Sequence, residues 1–93
     1  MKKPEIYFRP IGQSGPLSVY WYTGPYGDAI ECQEGKGVAW VSSTGDLLGV
    51  EFDDVDKIFD HQNLVAPQGT KVEVWVKNGN VKVKTHLTET VIH

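Results

Sequence analysis

The fold is decided by one stretch near the end of the chain, Lys71-Val72-Glu73-Val74-Trp75-Val76-Lys77-Asn78-Gly79-Asn80-Val81-Lys82-Val83-Lys84-Thr85-His86. It holds two runs of alternating apolar and polar residues with Asn-Gly between them. Asn-Gly is the preferred dipeptide of a two-residue type I′ turn, because both of its residues must adopt a positive φ. The stretch therefore predicts an antiparallel hairpin whose register pairs Lys77 with Asn80, Trp75 with Lys82, and Glu73 with Lys84.

The two faces of this hairpin differ in chemistry. One face carries only valines, which we expect to pack against the core. The other face carries Trp75 together with Lys71, Glu73, Lys82, Lys84 and His86. This basic and aromatic mixture suits an anionic ligand or a strand of nucleic acid, although a solvated face with the Lys82 stem over Trp75 explains the same residues. Trp75, Lys82 and Lys84 are therefore candidate ligand-binding residues.

A second hairpin is predicted upstream, between Val38 and Phe52, with its turn at Thr44-Gly45. Its register places Ala39 opposite Val50, Val41 opposite Leu48, and the Trp40 ring over the bare backbone of Gly49. Closely spaced glycines and prolines in the first half of the chain leave segments of strand length. They predict further strands near residues 5–9, 17–23 and 28–34.

The pattern changes after the second hairpin. Asp53 or Asp54 can cap the N-terminus of a helix, and Val55, Ile58 and Phe59 form an apolar stripe at helical spacing. These residues predict one short helix at 54–61.

The chain has 93 residues, 40% of them hydrophobic and 23% charged, which suits a single β-rich domain spanning residues 1–93. We expect a mainly β fold: a small antiparallel curled sheet or open barrel of five to seven short strands, with the one helix near 54–61. A core this small favours additional burial by self-association, so we expect a homodimer or a higher homo-oligomer.

Two segments of the chain follow the pattern of a known family. Gly45, Leu48, Gly49, Val50 and Glu51 match an acidic-Gly turn followed by a Leu-x-Gly-Ile-Glu-Ile-like strand, and the aromatic run Val19-Tyr20-Trp21-Tyr22 stands at the position of a first strand. On these residues, the segment 17–52 resembles a family of very short bacterial proteins known only as a domain of unknown function. The resemblance implies a β-rich fold and no particular activity.

An acidic cluster lies between residues 51 and 61: Glu51, Asp53, Asp54, Asp56 and Asp60, followed by His61. Its spacing fits no calcium loop, so helix capping and a solvated face explain it more simply than a metal site. Cys32 is the single cysteine, which excludes a cysteine metal cluster, and no phosphate-binding glycine motif is present. We expect no metal, no cofactor and a non-enzymatic protein. The alternative is a small enzyme or a metal- or ligand-binding subunit that uses this cluster with the tyrosines at 20–26.

Three tyrosines, Tyr20, Tyr22 and Tyr26, surround one predicted bend. They suit a stacking platform for a sugar, a base or a proline, although filling the core or a subunit interface is the competing explanation. The three tyrosines complete the set of candidate ligand-binding residues.

The net charge of −3 disfavours nucleic acid as a partner, so nucleic-acid contact through Trp75, Lys82 and Lys84 is a further alternative. The charge is unevenly distributed, with +2 over residues 1–27, −7 over 28–63 and +2 over 64–93. Apolar runs are too short to span a bilayer, and the N-terminal one is too short for a signal-peptide core. We expect a cytoplasmic binding or interaction module of unknown ligand, with copies of itself and a small molecule or another protein as partners.

Overall fold

The computed structural model describes residues 3–22 and 27–87. These residues form eight antiparallel strands in two sheets, which confirms the mainly β, antiparallel prediction. The prediction of five to seven strands in one curled sheet or open barrel is wrong, because the eight strands are divided between two sheets. In chain order the strands are β1 (Glu5–Phe8), β2 (Ser14–Tyr20), β3 (Asp28–Glu31), β4 (Gly37–Val41), β5 (Leu47–Asp56), β6 (Phe59–Val65), β7 (Thr70–Lys77) and β8 (Asn80–Leu87).

The five-stranded sheet has the order β1-β2-β5-β4-β3, and the three-stranded sheet is the meander β6-β7-β8. Inward-facing side chains of both sheets form one hydrophobic cluster, because apolar residues alternate along the strands with period two. Its fully buried members include Leu17, Val19, Val50, Phe52 and Val55 from the larger sheet and Leu64, Val72 and Val74 from the smaller one.

The predicted hairpin at 71–86 is confirmed in every pair of its register. Asn78 and Gly79 adopt φ values of 50° and 80°, as a type I′ turn requires. The turn also donates two backbone hydrogen bonds to the turn between β5 and β6, from the amide nitrogen of Asn78 to the carbonyl of Ile58 and from that of Gly79 to Lys57, both 2.7 Å long.

The second hairpin, β4–β5, is confirmed except at its turn end. Trp40 lies opposite Gly49 and Ala39 opposite Val50, but Val41 pairs with Leu47 rather than with Leu48. An irregularity between Trp40 and Val41 shifts the register by one residue at that point.

The helix predicted at 54–61 is wrong. Strand β5 runs to Asp56, and a two-residue turn leads directly into β6. The Asp56 carboxylate accepts hydrogen bonds from the amide nitrogens of Ile58, at 2.7 Å, and Phe59, at 3.3 Å, so it caps a turn instead of a helix. The residues of the predicted apolar stripe do not share one buried face, because Val55 is fully buried while Phe59 is 72% exposed.

A loop joins the two sheets away from this turn. After β3, the amide nitrogen of Gln33 donates to the carbonyl of Val65 at 2.8 Å, and the Val65 amide nitrogen donates to Glu34 at 3.0 Å. Gly35 follows with a φ of 90°, and a Cβ there would overlap the carbonyl oxygen of Asn63. The close approach of loop and strand β6 therefore requires glycine at this position.

Candidate functional site

The outer face of the three-stranded sheet, pointing away from the core, gathers the basic and aromatic side chains. We call it the basic face. Because β6 pairs with β7 and β7 with β8, side chains two residues apart on each strand lie side by side on it. Its members are Phe59, His61, Lys71, Glu73, Trp75, Lys77, Lys82, Lys84 and His86.

Trp75 lies at the centre of the basic face. Its ring stacks on His61 with the centroids 5.0 Å apart and the planes at 9°. On its other side its cross-strand neighbour is Lys82. Phe59, on the same strand as His61, is 72% exposed, a large apolar side chain in contact with water.

An open cleft of about 830 Å³ lies at the end of this face nearest the Asn78-Gly79 turn. Phe59, Trp75, Lys77, Lys82 and Lys84 all contribute to its lining. Three predicted ligand-binding residues, Trp75, Lys82 and Lys84, are thus brought together. A flat ring and an anionic group of one ligand would find an apolar surface and ammonium groups within the same cleft.

Glu73 is the single carboxylate among the members of the basic face. It lies opposite Lys84, as predicted, but its carboxylate interacts with two histidines: with His61 at 2.7 Å and with His86 at 3.0 Å. These hydrogen bonds, that of His61 above all, hold the pKa of Glu73 below its usual value. Both oxygens of Glu73 are thus bonded to histidines, and Asp60, the carboxylate that lines the cleft, accepts hydrogen bonds from the amide nitrogen of Asp56 and from Gln62.

The outer face of the five-stranded sheet has a different character. We call it the acidic face, with Glu5, Tyr7, Ser18, Tyr20, Glu31, Trp40 and Glu51 as members, which the strand pairing places on the same side. The Tyr20 ring lies 5.7 Å from both the Tyr7 and Trp40 rings. This row crosses Gly49, where a Cβ would overlap the Tyr20 ring, so the glycine is what lets the aromatic rings approach.

Two carboxylates of the acidic face are held by hydrogen bonds beside this row of aromatic rings. The Tyr7 hydroxyl donates to Glu5 at 2.6 Å, and the Ser18 hydroxyl donates to Glu51 at 3.0 Å. The hydrogen bond to Glu5 raises the pKa of Tyr7. The face therefore presents anionic groups next to aromatic rings.

The predicted tyrosine platform has a different composition from the one expected. Tyr20 packs with Tyr7 and Trp40, two residues that the sequence reasoning did not assign to it. Tyr22 is 51% exposed just beyond β2, and Tyr26 lies outside the described residues.

The acidic cluster at 51–61 is used to build a turn. Asp60 accepts hydrogen bonds from the amide nitrogen of Asp56 at 2.8 Å and from Gln62 at 3.0 Å. Asp56 also accepts from Gln13 at 3.1 Å, and its pKa is lowered, chiefly by the amide of Ile58 and then by Gln13. Within residues 3–22 and 27–87, no three His, Cys, Asp or Glu side chains are grouped so as to hold a metal ion.

Cys32 is half-buried beside the hydrophobic cluster. Burial, reinforced by the nearby charge of Asp53, raises its pKa to about 11. The thiol is therefore protonated at neutral pH and is a poor nucleophile.

The sequence reasoning missed His61, which stacks on Trp75, and Phe59, which lies opposite Lys77, because it placed both in a helix. A usable signal was present. Pro67-Gln68-Gly69 is a turn sequence directly before β7, and a short turn before a strand predicts an antiparallel neighbour immediately upstream.

Comparison of the chain with protein-family models, with curated proteins and with solved structures finds no match. The resemblance of residues 17–52 to a domain of unknown function therefore stays a prediction. Nowhere in the described part of the chain is there a helix of the length and apolarity needed to cross a membrane.

Proposed function

We propose that the protein is a non-enzymatic binding module that works as a homo-oligomer and binds its ligand on the basic face. The ligand class is an anionic group attached to, or next to, a flat ring. The observation that carries this proposal is the cleft in which Trp75 and the exposed Phe59 lie beside Lys82 and Lys84.

Charge supports this choice of face. Residues 57–87 contain five lysines against one aspartate and one glutamate, a net charge of +3 in a chain whose total is −3. An anion approaching the three-stranded sheet is therefore attracted locally although the whole molecule is acidic. Nucleic-acid contact through the same face remains the further alternative.

The enzyme alternative receives no support from the acidic cluster, because Asp56 and Asp60 are occupied by backbone amides and glutamine side chains of the β5–β6 turn. The compartment we propose is the cytoplasm, because the single cysteine of the sequence allows no internal disulfide.

The test uses 8-anilino-1-naphthalenesulfonate, a flat aromatic anion whose fluorescence rises in apolar surroundings. We expect saturable binding that Lys84→Glu weakens by about fivefold or more, since it reverses one charge lining the cleft. Trp75→Ala is expected to weaken it similarly by removing the ring. Lys36→Glu, which makes the same charge change in the loop before β4, is the matched control and is expected to alter affinity by less than about twofold.

Two comparison probes separate the contributions of ring and charge. Sulfate supplies charge without a ring, and oligothymidylate supplies phosphates with stackable bases. Equal loss of dye binding in Lys84→Glu and Lys36→Glu, with folding unchanged by circular dichroism, would contradict the proposal.

A further inference from the structure

We infer that the ligand of the basic face is the acidic face of a second copy of this chain, so that copies associate head to tail. This inference rests on the proposed function, because it uses the same basic face. The proposed partner surface, the acidic face, is part of the same chain.

The two sheets have opposite net charge. Residues 3–56, which include β1 to β5, contain three basic side chains against nine acidic ones, a net charge of −6, whereas residues 57–87 carry +3. The described residues extend over 44 × 28 × 22 Å, longer than the screening length of about 10 Å at 0.1 M salt. Two copies side by side are therefore attracted when the larger sheet of one meets the smaller sheet of the other.

The chemistry of the acidic face matches the ligand class of the basic face. Its Tyr7 ring is 46% exposed, and the Tyr7 hydroxyl is held 2.6 Å from the Glu5 carboxylate. An anion fixed beside a partly exposed ring is what Lys82, Lys84 and the Trp75 ring are arranged to accept. Stacked aromatic rings framed by complementary charges are common at the centres of protein interfaces.

The symmetry of the contact follows from the same charges. A two-fold dimer through the basic faces would bring lysines against lysines, and one through the acidic faces would bring carboxylates against carboxylates. A heterologous contact, with unlike faces meeting, avoids both repulsions. Such a contact continues from copy to copy, so the assembly is a ring or a chain rather than a closed two-fold dimer.

Complementary charge reversals test this arrangement by sedimentation velocity at low ionic strength. Lys82→Glu/Lys84→Glu alters only the basic face, and Glu5→Lys/Glu31→Lys alters only the acidic face. Glu51 is left intact because Ser18 is bonded to it. We expect the wild type to associate with increasing concentration, and each double variant alone to lose at least about tenfold in association constant.

Mixing the two double variants gives the decisive result. The first retains a native acidic face and the second a native basic face, and their two reversed faces are also opposite in charge, so an equimolar mixture is expected to recover association that neither variant shows alone. The variant with all four substitutions is expected to associate again, because its faces are complementary with their signs exchanged. A general loss of folding would not reproduce either recovery.

Salt provides a second measurement that needs no variant. Association of the wild type is expected to weaken at least about tenfold between 0.02 and 0.5 M NaCl, because the attraction is electrostatic. Lys36→Glu, which alters neither face, is the control and should associate as the wild type does.

Several results would overturn the inference. They are a wild type that stays monomeric at millimolar concentration in low salt, association unaffected by either double variant, or a basic face that binds oligothymidylate while the protein stays monomeric. If the naphthalenesulfonate dye still binds the basic face of a monomeric wild type, the proposed binding face stands, whereas the homo-oligomer and the head-to-tail partner are both wrong. If the dye does not bind at all, the proposed function itself fails.

Discussion

The acidic and basic faces are built in the same way and carry opposite charge. Each has a pair of rings at its centre: Tyr20 and Trp40, on the two strands that flank β5, at 5.7 Å, and His61 and Trp75, on the paired strands β6 and β7, at 5.0 Å. On the acidic face the rings close over Gly49, whereas on the basic face Phe59 is left in water. Similar pairs of rings therefore form the centre of both sheet surfaces, while the charged side chains around the rings determine what each surface attracts.

The two faces also fix their carboxylates differently. Glu51 accepts a hydrogen bond from the hydroxyl of Ser18, which does not titrate, whereas Glu73 is bonded to the imidazoles of His61 and His86. The hydrogen bonds from the histidines lower the pKa of Glu73, so this carboxylate stays ionised further into acid than an isolated glutamate does.

The two sheets are expected to unfold as one unit, and the variant with the largest expected effect tests this by disturbing the contact between them. Gly35→Ala is expected to lower the free energy of unfolding by about 3 kcal/mol or more, since the new Cβ would overlap the Asn63 carbonyl where the loop meets β6. Gly45→Ala is the matched control, because Gly45 has a similar φ of 88° with open space around it. It is expected to cost about 1 kcal/mol.

Urea unfolding followed by tryptophan fluorescence measures both variants. Equal costs for Gly35→Ala and Gly45→Ala would mean that the loop contact does not hold the sheets together.

A second prediction perturbs only the sheet that carries the basic face. Gly79→Val is expected to cost about 1–2 kcal/mol in thermal or urea unfolding, because a β-branched residue is strained at a φ of 80°. A Cβ at this position has no other atom within 4 Å, so the cost measures chiefly backbone strain. Unchanged stability would show that the turn adopts another conformation.

A variant on the acidic face is expected to lower the free energy of unfolding by a smaller amount. Ser18→Ala removes the 3.0 Å hydrogen bond to Glu51 at a position that is 9% exposed, and it is expected to cost about 1 kcal/mol. Urea unfolding measures this cost, and unchanged stability would show that the hydrogen bond does not stabilise the acidic face.

The smallest effect, and the one that depends on pH, is expected for Glu73→Gln. The pKa of Glu73 is lowered in the folded protein, chiefly by His61, so ionised Glu73 stabilises the fold above its unfolded-state pKa. This contribution disappears as the pH falls through the lowered pKa.

The difference in melting temperature between wild type and Glu73→Gln is therefore expected to be present at neutral pH and to vanish in strong acid. In the double variant His61→Gln/His86→Gln, further replacement of Glu73 is expected to change the melting temperature less, because the hydrogen bonds from the histidines are already absent. An equal difference in both backgrounds would show that the histidines do not stabilise this carboxylate.

Features determined by residues close together in the sequence could be predicted, whereas those determined by contacts between distant segments could not. Asn78-Gly79 fixes the register of β7 and β8 through local backbone sterics, so every pair followed from the dipeptide. Trp40 over Gly49 was accessible for the same reason. Tyr20, however, reaches Gly49 from the other side through the pairing of β2 with β5, which joins distant parts of the chain and has no local signature.

The region after Phe52 was misjudged because two local patterns competed. Val55, Ile58 and Phe59 satisfy the helical spacing, but Asp56 bonds to the amides that follow it and closes a turn. This error hid β6, and with it the contacts of His61 to Trp75 and Glu73. The composition of the basic face was therefore half predictable: the part on β7 and β8 was found, and the part on β6 was not.

The contact between the loop after β3 and Val65 has a consequence for the order of events in folding. The meander β6-β7-β8 closes only short loops, whereas pairing Leu17 with Phe52 must first bring distant segments together. We expect the smaller sheet to be structured in the transition state and the larger sheet to assemble on it. The hydrogen bonds of Gln33 and Glu34 to Val65 would then form late, so that Gly35→Ala speeds unfolding and leaves the folding rate almost unchanged.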